Sequence, residues 1–304
     1  MDDDRQDTLS TYRHLRLAMV LLLVLLLTSV LVTSFNAGDR GCFEGSISAY
    51  YFTPARAVFV GALCALGACL IIYRGNTDPE DIALNASGAL AFVVAFVPTG
   101  LPRTTDVRCS ATNVPTWDQL DAAIDNNVIA YLLTAGVAIG LALALVPRAA
   151  DKTDVRRRAL WVFAVVLAAA AAGFVRWPEG FRDNAHWTAA IAMFGGMLAV
   201  VGLNAWGAER TGANGRYRNA YGLVAAAMLL SGAVIGIAHR QVPDWRHWLL
   251  YLEAALLVEF LAFWLVQTME LWRRTKRDAP AVPPPSPAAP PSEAATQPQP
   301  TPAA

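Results

Sequence analysis

Glu253, Glu259 and Glu270, together with Gln267, interrupt the last long apolar stretch of this 304-residue chain. A carboxylate at the centre of a bilayer costs about 2.5–3.5 kcal/mol even on insertion-based scales, so it must face protein rather than lipid. Glu259 falls about 16 Å along a helix that begins near Trp248, which is close to the midplane. Eleven residues separate Glu259 from Glu270, so the two share a helix face. Such a group either carries a proton or cation, or ties helices together.

A second set of polar residues comes from distant parts of the sequence but falls at one membrane level. It comprises Glu44, Ser46, Ser48, Tyr50 and Tyr51, then Arg56, then Asp106 and Arg108 beside Cys109. Asp183 and His186 follow, then His239 and Arg240, then Arg246 and His247. Three histidines with carboxylates are the residue types that hold zinc and activate water. His186, His239 and His247 are therefore the candidate metal ligands, although no pair stands at i,i+4 and no HExxH occurs. Arginine matches phosphate and carboxylate geometry, so Arg56 is a candidate for an anionic headgroup or for an ion pair with Glu253. The candidate ligand-binding set is Arg56, Glu253, His186, His239, Glu259, Tyr50 and Asp106.

The elements that must position these residues are legible from hydropathy. Apolar residues make up 55% of the chain and charged residues 16%, well below the ~25% charge of soluble domains. Eight apolar stretches are long enough to cross a bilayer. They run Leu15–Phe35, Ala55–Tyr73, Ile82–Thr99, Val128–Val146, Ala159–Val175, Trp187–Trp206, Ala220–Ala238 and Trp248–Thr268. None alternates with period two, so the spans are helices rather than barrel strands. The expected fold is all-α: a polytopic membrane helical bundle of eight transmembrane helices. With the N-terminus cytoplasmic, sixteen of the 24 Lys and Arg fall inside, as the positive-inside rule requires. Both termini are then cytoplasmic, in a cell (plasma) membrane.

Three regions follow: a cytoplasmic lead over 1–14, the transmembrane domain over 15–272, and a basic then Pro-rich tail over 273–304. Ten of the 18 prolines lie in the last 27 residues, a composition that cannot bury a core and predicts disorder. Thr53-Pro54 and Asp78-Pro79 read as helix N-caps followed by a first helical proline. A short amphipathic helix is expected after Thr116, carrying Trp117, Leu120 and Ile124. Gly136 with Gly140, Gly232 with Gly236, and Gly195, Gly196 and Gly202 read as helix-packing seams. Cys64 and Cys69 lie within a span and read as packing residues. Cys42 and Cys109 fall on the exterior, oxidising side and are expected to form a disulfide.

The segment Ser46-Ile47-Ser48-Ala49-Tyr50-Tyr51-Phe52-Thr53-Pro54-Ala55-Arg56, running into Val58-Phe59-Val60-Gly61, resembles a family of uncharacterised bacterial multi-pass membrane proteins. Glu259-Phe260, Phe263-Trp264, Gln267-Thr268 and Glu270-Leu271-Trp272 are similar to the last helix of that family. The resemblance covers spans one to three and eight and implies a membrane location and a helical fold. A remoter likeness is to alkaline-ceramidase-type membrane hydrolases, which set Ser, Asp and three His around zinc. Ser46, Asp106, His186, His239 and His247 supply those residue types here. Tyr50 rather than His follows Ser46 by four, and no His-x-x-x-His occurs.

Three functional expectations result. The first is a membrane protein of unassigned activity whose outward polar vestibule binds a lipid headgroup or small solute. The second is a metal-dependent lipid hydrolase at the exterior leaflet, with zinc as its cofactor. The third is a proton- or cation-linked transporter using Glu259. Membrane lipids are the expected partners. The chain has no Walker A motif, no GxGxxG that opens a helix after a strand, and no GxSxG, so nothing points to nucleotide or nucleic acid.

Overall fold

The computed structural model describes residues 2–37, 42–99, 115–145, 152–210, 215–242 and 244–277. Among these the protein is all-helical. The helices are α1 (Asp2–Asn36), α2 (Arg56–Ile72), α3 (Asp78–Phe96) and α4 (Trp117–Leu145), then α5 (Lys152–Arg176), α6 (Pro178–Arg210), α7 (Gly215–Gln241) and α8 (Trp248–Glu270). A short 3-10 turn, Ser48–Phe52, precedes α2. Seven of the helices are long and apolar enough to cross a membrane, and α2 is a shorter apolar helix of 17 residues. Asp106, Cys109, the Pro-rich segment and most of the connection after α3 lie outside the described residues.

Packing makes a closed circuit. α1 packs on α2, α2 on α3, α3 on α6, α6 on α7, α7 on α8, and α8 returns to α1. Its interior is filled by Met19 and Leu23 of α1, Leu66 of α2, Leu84 of α3, Met197 and Val201 of α6, Tyr221 of α7, and Phe260, Phe263 and Trp264 of α8. The indole of Trp264 meets Tyr73, Phe260 and Phe263 edge-on, the arrangement that aromatic quadrupoles favour.

α4 and α5 stand outside this circuit. They pack on each other and lightly on α3 and α6. α5 buries none of its apolar stretch and α4 only 6%. Leu133, Val137, Leu141 and Leu145 form an exposed stripe along α4, matched by Trp161, Val162, Val165 and Val166 on α5. Ion pairs of two arginines hold the hairpin. Arg182 of α6 takes Asp125 at 2.7 Å and Asp121 at 3.3 Å at one end of the bundle. Arg156 of α5 takes Asp78 at 2.9 Å at the other.

Close helix approach is made at Gly67, Gly88 and Gly196, of which Gly196 was expected. A Cβ on Gly88 would fall 2.5 Å from the Gly67 carbonyl, and one on Gly67 would fall 2.7 Å from the Gly88 carbonyl, so α2 and α3 touch backbone to backbone. A Cβ on Gly196 would overlap the Ser87 hydroxyl, which sets the approach of α3 to α6. By contrast Gly140, Gly195, Gly202, Gly232 and Gly236 would meet nothing within 4 Å, and Gly136 only Leu167 at 3.9 Å. Of the seams read from sequence, Gly196 alone acts as one within the chain.

Helix starts also differ in detail. Thr77, not Asp78, caps α3, with its hydroxyl accepting from the Glu80 amide at 3.4 Å. Thr53 closes the 3-10 turn, and α2 starts after Ala55. The segment after Thr116 is not a separate helix but the first part of α4. It opens with a reciprocal cap in which the Gln119 amide donates to the Thr116 hydroxyl and the Thr116 amide to the Gln119 side chain.

Candidate functional site

At the loop end of the bundle, several of the expected site residues bond to the backbone or aromatic rings of neighbouring elements. Glu253 is buried, and its carboxylate accepts from the Ile47 amide at 2.6 Å and the Ser48 hydroxyl at 3.4 Å. It anchors the 3-10 turn to α8, helped by the Leu250 amide donating to the Gly45 carbonyl. Arg56 does not pair with Glu253. Its guanidinium lies 4.3 Å over the Tyr51 ring and donates to the Tyr51 hydroxyl at 2.7 Å. Tyr50 is fully buried, with its hydroxyl on Ser34. Burial pushes its phenol above the ordinary range, partly opposed by the Ser34 hydrogen bond.

The three histidines are not brought together. His186 is buried and its Nδ1 donates to the Val97 carbonyl at 2.5 Å, joining α6 to the end of α3. His247 donates to the Phe43 carbonyl at 3.1 Å. The His239 ring stacks on Trp248 at 4.3 Å, leaving Nδ1 buried without a partner. Among the described residues no three His, Cys, Asp or Glu gather closely enough to hold a metal ion. The histidine set does not fit zinc, because each ring is committed to a different backbone or aromatic neighbour. Glu259 accepts from the Ser231 hydroxyl at 2.6 Å, while its second oxygen is buried and unpartnered. Cys64 and Cys69 are free and packed against the core. Cys42 is not a free thiol, and its expected partner Cys109 lies outside the described residues.

The opposite end, where the start of α1 meets the end of α8, holds a buried polar cluster. Its centre is Glu80, 1% exposed, in the first turn of α3. One carboxylate oxygen accepts from the Asn204 amide at 2.8 Å and the Gln267 amide at 3.5 Å, and the other from the Asn76 backbone at 2.8 Å. Every partner is neutral. Asn204 and Gln267 are both fully buried. The Asn204 oxygen accepts from Asn76 at 3.2 Å, Gln267 at 3.3 Å and Arg277 at 2.9 Å. The Gln267 oxygen is buried with no partner. Gly75 leaves space for the Glu80 side chain, which a Cβ there would meet at 2.6 Å.

Beside this cluster sits Arg277. It donates to both Glu270 oxygens, at 2.9 and 3.0 Å, and its guanidinium lies 5.0 Å from the Tyr221 ring. The Tyr221 hydroxyl donates to the same carboxylate at 2.6 Å. Burial opposes the Arg277 charge, but the Glu270 carboxylate more than offsets it, and the guanidinium is held above its ordinary range. Residues 271–277 form a strap across this end of the bundle. Arg16, fully buried, grips it through the carbonyls of Leu271 at 2.8 Å, Arg274 at 3.1 Å and Thr275 at 3.2 Å. Arg16 also donates to the Tyr73 hydroxyl at 3.1 Å. Arg13 adds a bond to the Trp272 carbonyl at 2.6 Å.

Sequence reasoning passed over the centre of this cluster. Glu80 looks like an ordinary acid in a helix first turn, favoured there by the dipole. Arg16 and Arg277 are absorbed by the positive-inside rule. The available signal was Asn204, an amide inside an apolar stretch. No protein-family model, curated protein or solved structure matches the chain, so the site stands on its own geometry.

Proposed function

We propose that this protein is a multi-pass plasma-membrane protein whose ligand-handling centre is the Glu80–Asn204–Gln267 cluster, and that it couples a proton or small cation to transport. The observation that carries this reading is the Glu80 carboxylate: 1% exposed, bonded only to neutral groups, beside the unpartnered Gln267 oxygen. A buried carboxylate bonded only to neutral groups is costly, so a compensating positive charge is favoured beside it. Glu80 stands in the first turn of an apolar helix, and buried ionisable groups on such helices mark ion pathways.

The reading takes eight crossings with both termini cytoplasmic. α2 rises about 25 Å over its 17 residues, close to the hydrocarbon thickness. Its ends reach opposite ends of the bundle, Arg56 at the loop turn and Tyr73 against Arg16. The basic residues Arg13, Arg16, Arg74, Arg156, Arg274 and Arg277 then sit on the cytoplasmic side. Cys42 falls outside, where a disulfide with Cys109 would persist.

Proteoliposomes carrying a pH-sensitive dye test the reading. Imposed gradients of sodium, potassium or methylguanidinium chloride should drive proton flux with the native chain, and Glu80→Gln should cut it at least tenfold. Equal flux in both proteins overturns the proposal. A second reading, binding of a lipid phosphate at the loop end, is favoured by one observation: Arg56 is exposed, and Tyr51 is its hydrogen-bonding and ring-stacking partner.

A further inference from the structure

The strap and the seat it fills point to the class of ligand. We propose that the seat occupied by Arg277 is a guanidinium-recognition site, and that residues 271–277 are an internal occupant which a small guanidinium-bearing solute displaces. The inference rests on the reading of the neighbouring Glu80 cluster as the ligand-handling centre.

Four groups define the seat, each suited to a flat, hydrogen-donating cation. Glu270 presents both carboxylate oxygens to Nε and Nη2, the two-pronged match that a guanidinium makes and a spherical ion cannot. The Tyr221 ring offers its negative face, and its hydroxyl fixes the same carboxylate. The Asn204 oxygen takes a further N–H. Gly207 supplies space, since a Cβ there would stand 3.3 Å from Nη1 of Arg277.

The charge balance shows why the occupant is exchangeable. Two carboxylates, Glu80 and Glu270, lie in one network linked through Asn204, and Arg277 is the one cation bonded to it among the described residues. The network also retains an acceptor with nothing to accept, the buried Gln267 oxygen. With two carboxylates and the bonded Arg277 guanidinium in one network, the cluster favours a cationic occupant. The strap is anchored separately from its plug. Arg16 and Arg13 hold the carbonyls of 271, 272, 274 and 275, whereas Arg277 is held by the seat itself, by Asn76 and, at its carbonyl, by Arg274 at 3.2 Å. Residues 276 and 277 can leave without undoing the Arg16 grip, and departure exposes the seat and the Glu80 cluster behind it together.

The test uses the full chain in detergent, with methylguanidinium chloride as probe at millimolar concentration and sodium chloride at equal ionic strength as control. Arg277→Ala empties the seat. It should bind methylguanidinium at least tenfold more tightly than the native chain by calorimetry, and methylguanidinium should restore at least half of its lost melting temperature. Adding Glu270→Gln should abolish both effects. Arg277→Lys keeps a charge but not the fork, and covers the case in which the alanine variant does not fold: methylguanidinium should raise its melting temperature saturably. Responses equal to those with sodium chloride, or unchanged by Glu270→Gln, overturn the proposal. Failure here with Glu80-dependent proton flux intact removes the ligand class and leaves the transport reading. Rescue without such flux does the reverse.

Discussion

Glu80, Glu253, Glu259 and Glu270 are four carboxylates on membrane helices, and each is met differently. Glu253 is answered by a backbone amide and a hydroxyl. Glu270 is answered by a guanidinium and a phenol. Glu259 has one hydroxyl and one unpartnered oxygen. Glu80 has amides only. At the loop end Arg56 is one of the exposed cations. If Arg56 holds a lipid phosphate, Arg56→Ala should reduce anionic lipid co-purified with the protein severalfold by mass spectrometry, with Tyr51→Phe having a smaller effect. Unaltered lipid content would eliminate that role. The α8 carboxylates were legible because they break an apolar run. Glu80 was not, because acids are expected in a helix first turn, and its burial depends on α6 and α8 arriving from more than a hundred residues away.

Elements depend on close backbone approach more than on their hydropathy alone. α3 is the most constrained, pressed against α2 at Gly67 and Gly88 and against α6 at Ser87 and Gly196. Gly88→Ala places a methyl group 2.5 Å from a carbonyl that cannot yield without moving α2. It should lower the melting temperature by several degrees, in the range of about 1–3 kcal/mol for overpacking. Gly232→Ala, with open space at its Cβ, should leave it unchanged or raise it slightly. A difference scan of both variants checks this, and equal behaviour would contradict the assigned contacts. The all-helical, apolar character of the elements was readable from runs of apolar residues. The seams were not, since Gly at spacing four recurs on outward faces as well, and sequence periodicity carries no record of which face meets which neighbour.

For the whole molecule, the proposed orientation predicts a labelling pattern. A membrane-impermeant maleimide added to intact cells should label Asp118→Cys and Asp244→Cys above the unsubstituted chain, but label Arg273→Cys only after permeabilisation. All three positions are exposed. Labelling of Arg273→Cys in intact cells would reverse the bundle and remove the cytoplasmic placement of the Glu80 cluster. One consequence of the architecture concerns biosynthesis. The Arg16 guanidinium finds its carbonyl partners 255 to 259 positions later in the chain. α1 therefore enters the bilayer with most of that cation's donors unanswered; the Tyr73 hydroxyl arrives after α2, and the carbonyls only after the remaining helices are translated. Over that interval headgroup phosphates, water or the insertion machinery must hold Arg16 near the surface. The first helix reaches its final depth only when the ribosome has delivered residues 271–275.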